Sequence, residues 1–118
     1  MKRKVVVLLV VGVVLFGVSA QSANAQNMGQ RIIGTWIDNE RRTWVFNANG
    51  TGTETSGSDV YQFKFGVTDT QLAITDSNGN DLEVYNFSIS SDGRTLILDG
   101  VFYDDGRIVR GIFWLTKR

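Results

Sequence analysis

Asp59-Val60-Tyr61-Gln62-Phe63-Lys64-Phe65-Gly66-Val67 is the stretch whose reading decides the fold. Tyr61, Phe63, Phe65 and Val67 recur at every second position, with Gln62 and Lys64 between them, so an extended backbone sends the aromatics to one face and the polar side chains to the other. A helix would scatter the same residues around its circumference. The alternation returns in Tyr85, Phe87 and Ile89, which face away from Asn86 and Ser88. The last segment differs. Val109, Phe113 and Leu115 lie on one face and Ile108, Ile112 and Trp114 on the other, which predicts a strand covered on both sides or paired with a partner.

Turn signals punctuate these segments. Asn49-Gly50, Asn78-Gly79, Asp92-Gly93 and Asp105-Gly106 accept positive φ at low cost, as tight hairpin turns require. A further turn is expected at Thr68-Asp69-Thr70 and a looser one around Ser56-Gly57-Ser58. Strands are then expected at about 33–38, 42–48, 51–56, 59–67, 71–76, 81–90, 95–103 and 107–117. Short connections make consecutive strands antiparallel neighbours. The pattern predicts an all-β fold: a single small up-and-down antiparallel barrel of about eight strands, preferred to a two-sheet sandwich because closure removes exposed edges. Such a barrel has an interior just wide enough to be filled by side chains or to hold one small ligand. The residues expected to face it are Tyr61, Phe63, Phe65, Tyr85, Phe87, Leu96 and Leu98.

The first 25 residues read as a secretory signal. Met1-Lys2-Arg3-Lys4 is a basic start, Val5 to Val18 is an apolar run of 14 residues, and Ala23-Asn24-Ala25 offers a small-x-small site with cleavage expected before Gln26. The run is shorter than the roughly 20 residues of a membrane-spanning helix. No cysteine follows to carry a lipid. The expected organisation is a signal peptide over 1–25, a flexible leader over 26–31 and a barrel domain over 32–118, located in the periplasm or secreted and free of the membrane once cleaved. Cleavage removes three of the 12 basic residues and leaves nine against 12 acidic ones. That mild acidity, with no basic cluster, argues against nucleic acid as a partner. The 93 remaining residues suit one domain, expected to be a monomer.

At the first strand the residues resemble a known family. Ile32-Ile33-Gly34-Thr35-Trp36, followed by Thr43-Trp44-Val45-Phe46-Asn47-Ala48-Asn49-Gly50-Thr51-Gly52-Thr53, is similar to the opening of small bacterial lipocalin-like domains, and Leu115-Thr116-Lys117-Arg118 is similar to their closing strand. The resemblance implies an eight-stranded lipocalin-like barrel in an exported protein. It also implies structural closure by Gly34 and Trp36 with a basic side chain over the indole, for which Arg118 or Lys117 is the candidate. Glycine at 34 suits a close approach by a neighbour, and Trp36 is large enough to plug one end. Trp44 and Trp114 are expected in the core, with the rim of an opening as the alternative.

The missing residue types narrow the chemistry. With no histidine and no cysteine there is no imidazole base, no thiol nucleophile and no His/Cys metal site. Asp104-Asp105 reads as turn chemistry and not as a carboxylate pair. Asp76-Ser77-Asn78-Gly79-Asn80-Asp81 begins like a calcium loop, but the glycine required at the sixth position is Asp81 and the glutamate at the twelfth is Phe87. The expectation is therefore a non-enzymatic protein without metal or cofactor. It would bind a small apolar or amphipathic ligand in the barrel through Tyr61, Phe63, Phe65, Tyr85 and Phe87. The alternative is a protein-interaction module, such as a periplasmic inhibitor of a protease or another enzyme.

Overall fold

A computed structural model describes residues 6–7, 23–104 and 106–118, with side chains over 28–101 and 106–118. A two-residue strand β1 (Val6–Val7) and a helix α1 (Ala23–Ile32) precede eight longer strands. These are β2 (Gly34–Asp38), β3 (Thr43–Phe46), β4 (Thr51–Ser56), β5 (Asp59–Val67), β6 (Gln71–Asp76), β7 (Glu83–Ile89), β8 (Thr95–Asp104) and β9 (Arg107–Lys117). Each pairs antiparallel with the next, and β9 pairs both with β8 and with β2, so the sheet closes into an up-and-down barrel. β1 adds to β8 opposite Phe102 and Tyr103. The signal peptide expected over 1–25 lies largely outside the described residues.

The alternation works as the sequence dictates except on β6, where Ala73 and Thr75, out of phase with Leu72 and Ile74, are buried as well. Phe63 and Val67 of β5, Leu72 and Ile74 of β6, Tyr85 and Phe87 of β7, Leu96 and Leu98 of β8, and Leu115 of β9 are buried inside. Trp36, Trp44 and Phe46 join them from β2 and β3. The expected core position holds for Trp44 and fails for Trp114. Trp114 stands opposite Ile97 on the outer face, one residue out of phase with the inward Phe113 and Leu115, and is 57% exposed.

The hairpins are built differently from the two-residue turns the dipeptides suggest. At Asn47–Thr51, Gly50 N–H donates to Asn47 O and Asn47 N–H to Thr51 O, so a three-residue loop ends in a single left-handed residue, Gly50, at φ 86°. The arrangement repeats at Asp76–Asn80 with Gly79 in that place. One glycine per turn takes positive φ while Asn49 and Asn78 do not, which is the type I turn plus bulge geometry. The β2–β3 turn has the same hydrogen bonds, Arg41 N–H to Asp38 O and Asp38 N–H to Arg42 O, but the left-handed residue is Arg41, at φ 65°.

Residues 26–31, read from sequence as a flexible leader, belong to α1. The helix is tied to one end of the barrel. Ile32 is fully buried, Met28 packs on the core, and Arg31 Nη2 donates to Ser90 O at 2.7 Å. The amphipathic content of Met28, Arg31 and Ile32 is too short to register as periodicity, and tertiary contact decides it.

Candidate functional site

The end of the barrel next to α1 is closed by the residues that carry the family resemblance. Trp36 is fully buried and its Nε1 donates to Ile32 O at 2.9 Å. The cation over its ring is Lys117, with Nζ 5.1 Å from the ring centroid, and not Arg118. Lys117 lies directly opposite Trp36 in the β2–β9 register, so both project to the same face, whereas Arg118, one residue on, is exposed. Lys117 Nζ also donates to Ile33 O at 2.9 Å. Gly34, at φ 132°, makes room for it: a methyl group there would sit 3.0 Å from Lys117 Cε. This end is a plug in which the polar atoms of Trp36 and Lys117 are committed to closure.

The opposite end carries a different chemistry. The first residue involved is Asp38, at the end of β2, which faces inward in phase with Trp36. Its Oδ1 accepts the backbone N–H groups of Glu40 and Arg42, each at 2.8 Å, and its Oδ2 accepts Arg42 Nε at 2.8 Å and Trp44 Nε1 at 3.0 Å. Burial pushes the Asp38 carboxyl up, but the hydrogen bonds from Trp44, Arg42 and Glu40 outweigh it and hold the group below the usual carboxylate range. The left-handed Arg41 makes the turn tight enough for Asp38 to reach both amides.

Arg42 is held inside by this turn and is itself buried. Its Nη1 lies 3.3 Å from Glu54 Oε2 on β4, and its guanidinium stands 5.1 Å from the Phe113 ring centroid. Nη2 comes within 3.2 Å of Glu40 Oε1, out of line for a hydrogen bond. Glu83, at the start of β7, is also buried and accepts Tyr85 Oη at 2.5 Å. Three buried carboxyl groups and one guanidinium therefore lie inside the barrel, on the β2, β3, β4 and β7 ends remote from α1.

Below this polar layer the rings meet. Trp44 lies 6.2 Å from Phe46, 6.3 Å from Phe63 and 6.1 Å from Phe113 by ring centroids, and Phe46 is 5.0 Å from Phe65. Of the five residues expected to bind a ligand, Phe63, Tyr85 and Phe87 are core, whereas Tyr61 and Phe65 are half-buried. The Tyr61 ring lies 6.2 Å from Phe63, tilted to it, and Tyr61 is opposite Glu54 in the β4–β5 register. The structure thus brings Tyr61 and Tyr85 to the charged end and leaves Phe63 and Phe87 to packing.

Sequence reasoning missed Asp38, Arg42, Glu54 and Glu83. A signal was present: each falls in phase with inward residues of its own strand or, for Arg42, of the strand it leads into, Asp38 with Trp36, Arg42 with Trp44, Glu54 with Gly52 and Glu83 with Tyr85. Asp76 is used differently, since its Oδ1 accepts Asn78 and Asn80 N–H in the hairpin turn.

Comparison with known proteins places residues 30–107 in a family of unknown function, DUF5640. The match runs from the last turn of α1 to the first residue of β9. No curated protein matches the chain. No solved structure matches it either.

Proposed function

We propose that this chain, which belongs to that family of unknown function, is an exported, non-enzymatic, lipocalin-like barrel that takes a small amphipathic ligand at the end remote from α1. The observation that carries the reading is the buried set Asp38, Arg42, Glu54 and Glu83 with Tyr85, whose charged members are the buried charged side chains among the described residues. Buried ion pairs are weak sources of stability, and an apolar plug of similar volume would hold the barrel as well or better. Charged groups kept inside one end therefore favour recognition there. The aromatic contacts beneath them support a shallow seat at the mouth: the polar head of the ligand meets the carboxyl groups and tyrosines, and its apolar part lies against Tyr61 and Phe113.

Native mass spectrometry of the protein purified from its own host tests the reading. The expected result is one bound small molecule, released when Tyr61→Ala removes a wall of the mouth. A bare polypeptide mass would overturn it. A second reading, association with another protein, is favoured by the outer face of β9.

A further inference from the structure

The outer face of β9 is unlike the rest of the barrel wall. Elsewhere the exposed outward positions of the long strands are polar except for Val60 on β5, which is 58% exposed: Gln62 and Lys64 on β5, and Asn86 and Ser88 on β7, are exposed. On β9 the outward residues are Ile108, Arg110, Ile112 and Trp114, and the three apolar ones are 61%, 42% and 57% exposed. Their neighbours on the same outer face extend the patch. Ile97 lies opposite Trp114 and Val101 opposite Arg110 in the β8–β9 register, and both are half-buried. From Ile108 to Trp114 the stripe is about 20 Å long. An apolar stripe of this length on a small domain marks an interaction surface.

The charges within the patch identify what fits it. Arg110 makes a bidentate pair with Asp99, its Nε donating to Oδ1 at 2.9 Å and its Nη2 donating to Oδ2. Asp99 lies opposite Ile112, so the acid is displaced along the strand from the base. A two-fold axis at Gly111, in the plane of contact and perpendicular to β9, sets Ile108 against Trp114 of a second molecule and Arg110 against its Ile112. The same operation carries the second molecule's Asp99 diagonally across from Arg110. The patch is neutral, apolar at both ends and self-complementary in charge, which is the requirement of an isologous interface. We infer that this outer face of β9 binds a second copy of the chain, with Arg110 of each molecule exchanging its own Asp99 for that of the other. The inference departs from the monomer expected from composition, and it does not depend on a ligand at the mouth.

Sedimentation velocity on the protein as its host produces it is expected to show a monomer–dimer equilibrium at micromolar concentrations. Trp114→Glu is expected to leave only monomer with an unchanged far-ultraviolet circular dichroism spectrum. Charge reversal tests the register. Arg110→Asp and Asp99→Arg should each be monomeric alone and should form a dimer when mixed, because each then supplies the charge the other lacks. The double variant D99R/R110D should dimerise by itself. A chain that stays monomeric at every concentration would overturn the inference, as would one that instead floats with phospholipid vesicles. A dimer that survives Trp114→Glu, or two folded single variants that fail to dimerise when mixed, would overturn it equally.

Discussion

Gly52 has no room for a side chain. It faces inward on β4, and a methyl group there would lie 2.5 Å from the Phe63 ring and overlap Val45 O, neither of which can swing away. Gly52→Ala is expected to destabilise the fold by about 1–3 kcal/mol, measured by urea denaturation. In Gly50-Thr51-Gly52 the two glycines thus have different causes: the first a left-handed turn, the second contact with a ring. Asp38 makes a second prediction. Its carboxyl is held below the ordinary value when folded, so its contribution is fully present above the unfolded value of about 4 and is lost as pH falls from there through the lowered folded value. Asp38→Asn leaves the buried Arg42 without its closest partner and should cost about 3–5 kcal/mol near neutrality. The variant should also unfold with a flatter acid limb below about pH 4. Wild type and variant showing parallel acid limbs would contradict this assignment.

Among the elements, the hairpins separate what short-range chemistry specifies from what the barrel imposes. The Asn-Gly pairs at 49–50 and 78–79 encode their turns locally, because glycine takes the left-handed residue without steric penalty. The β2–β3 turn uses the same geometry with Arg41, where the side chain opposes it. What holds Arg41 there is the pair of amide hydrogen bonds to Asp38 and the buried Arg42 beside it. Arg41→Gly should therefore raise stability by about 0.5–1 kcal/mol in thermal unfolding, since the exposed Arg41 side chain gives nothing in return. This turn carries no glycine signal. The expected strand bounds placed the connection at 39–41, but without a turn dipeptide its geometry was not legible, and with it went the charged cluster that the turn assembles. The strands were legible almost to the residue. β5, β6 and β9 begin and end where alternation and turn residues set them.

For the whole molecule, closure depends on a helix that local propensity does not announce. A chain beginning at Gln26 keeps Met28, Arg31 and Ile32, whereas one beginning at Gly34 loses the buried Ile32 and the carbonyl that accepts Trp36 Nε1. The shorter chain is expected to be less stable by at least about 2–5 kcal/mol, and the longer one to match the full chain in calorimetry. The sequence by itself determined the all-β architecture, the strand count and the inward aromatic set, because period-two alternation and left-handed turn residues act between near neighbours. Closure of one end by Gly34 and Trp36 was only implied by the resemblance of the first strand. Only the tertiary structure decided that Lys117 and not Arg118 covers the indole, since this follows from the pairing of β9 with β2, 81 positions apart at Trp36 and Lys117. The tertiary structure likewise decided that Asp38, Arg42, Glu54 and Glu83 are interior charges and that Trp114 faces outward. Polar residues at inward positions are stable only when partners from distant strands meet them, and those partners exist only once the barrel has closed.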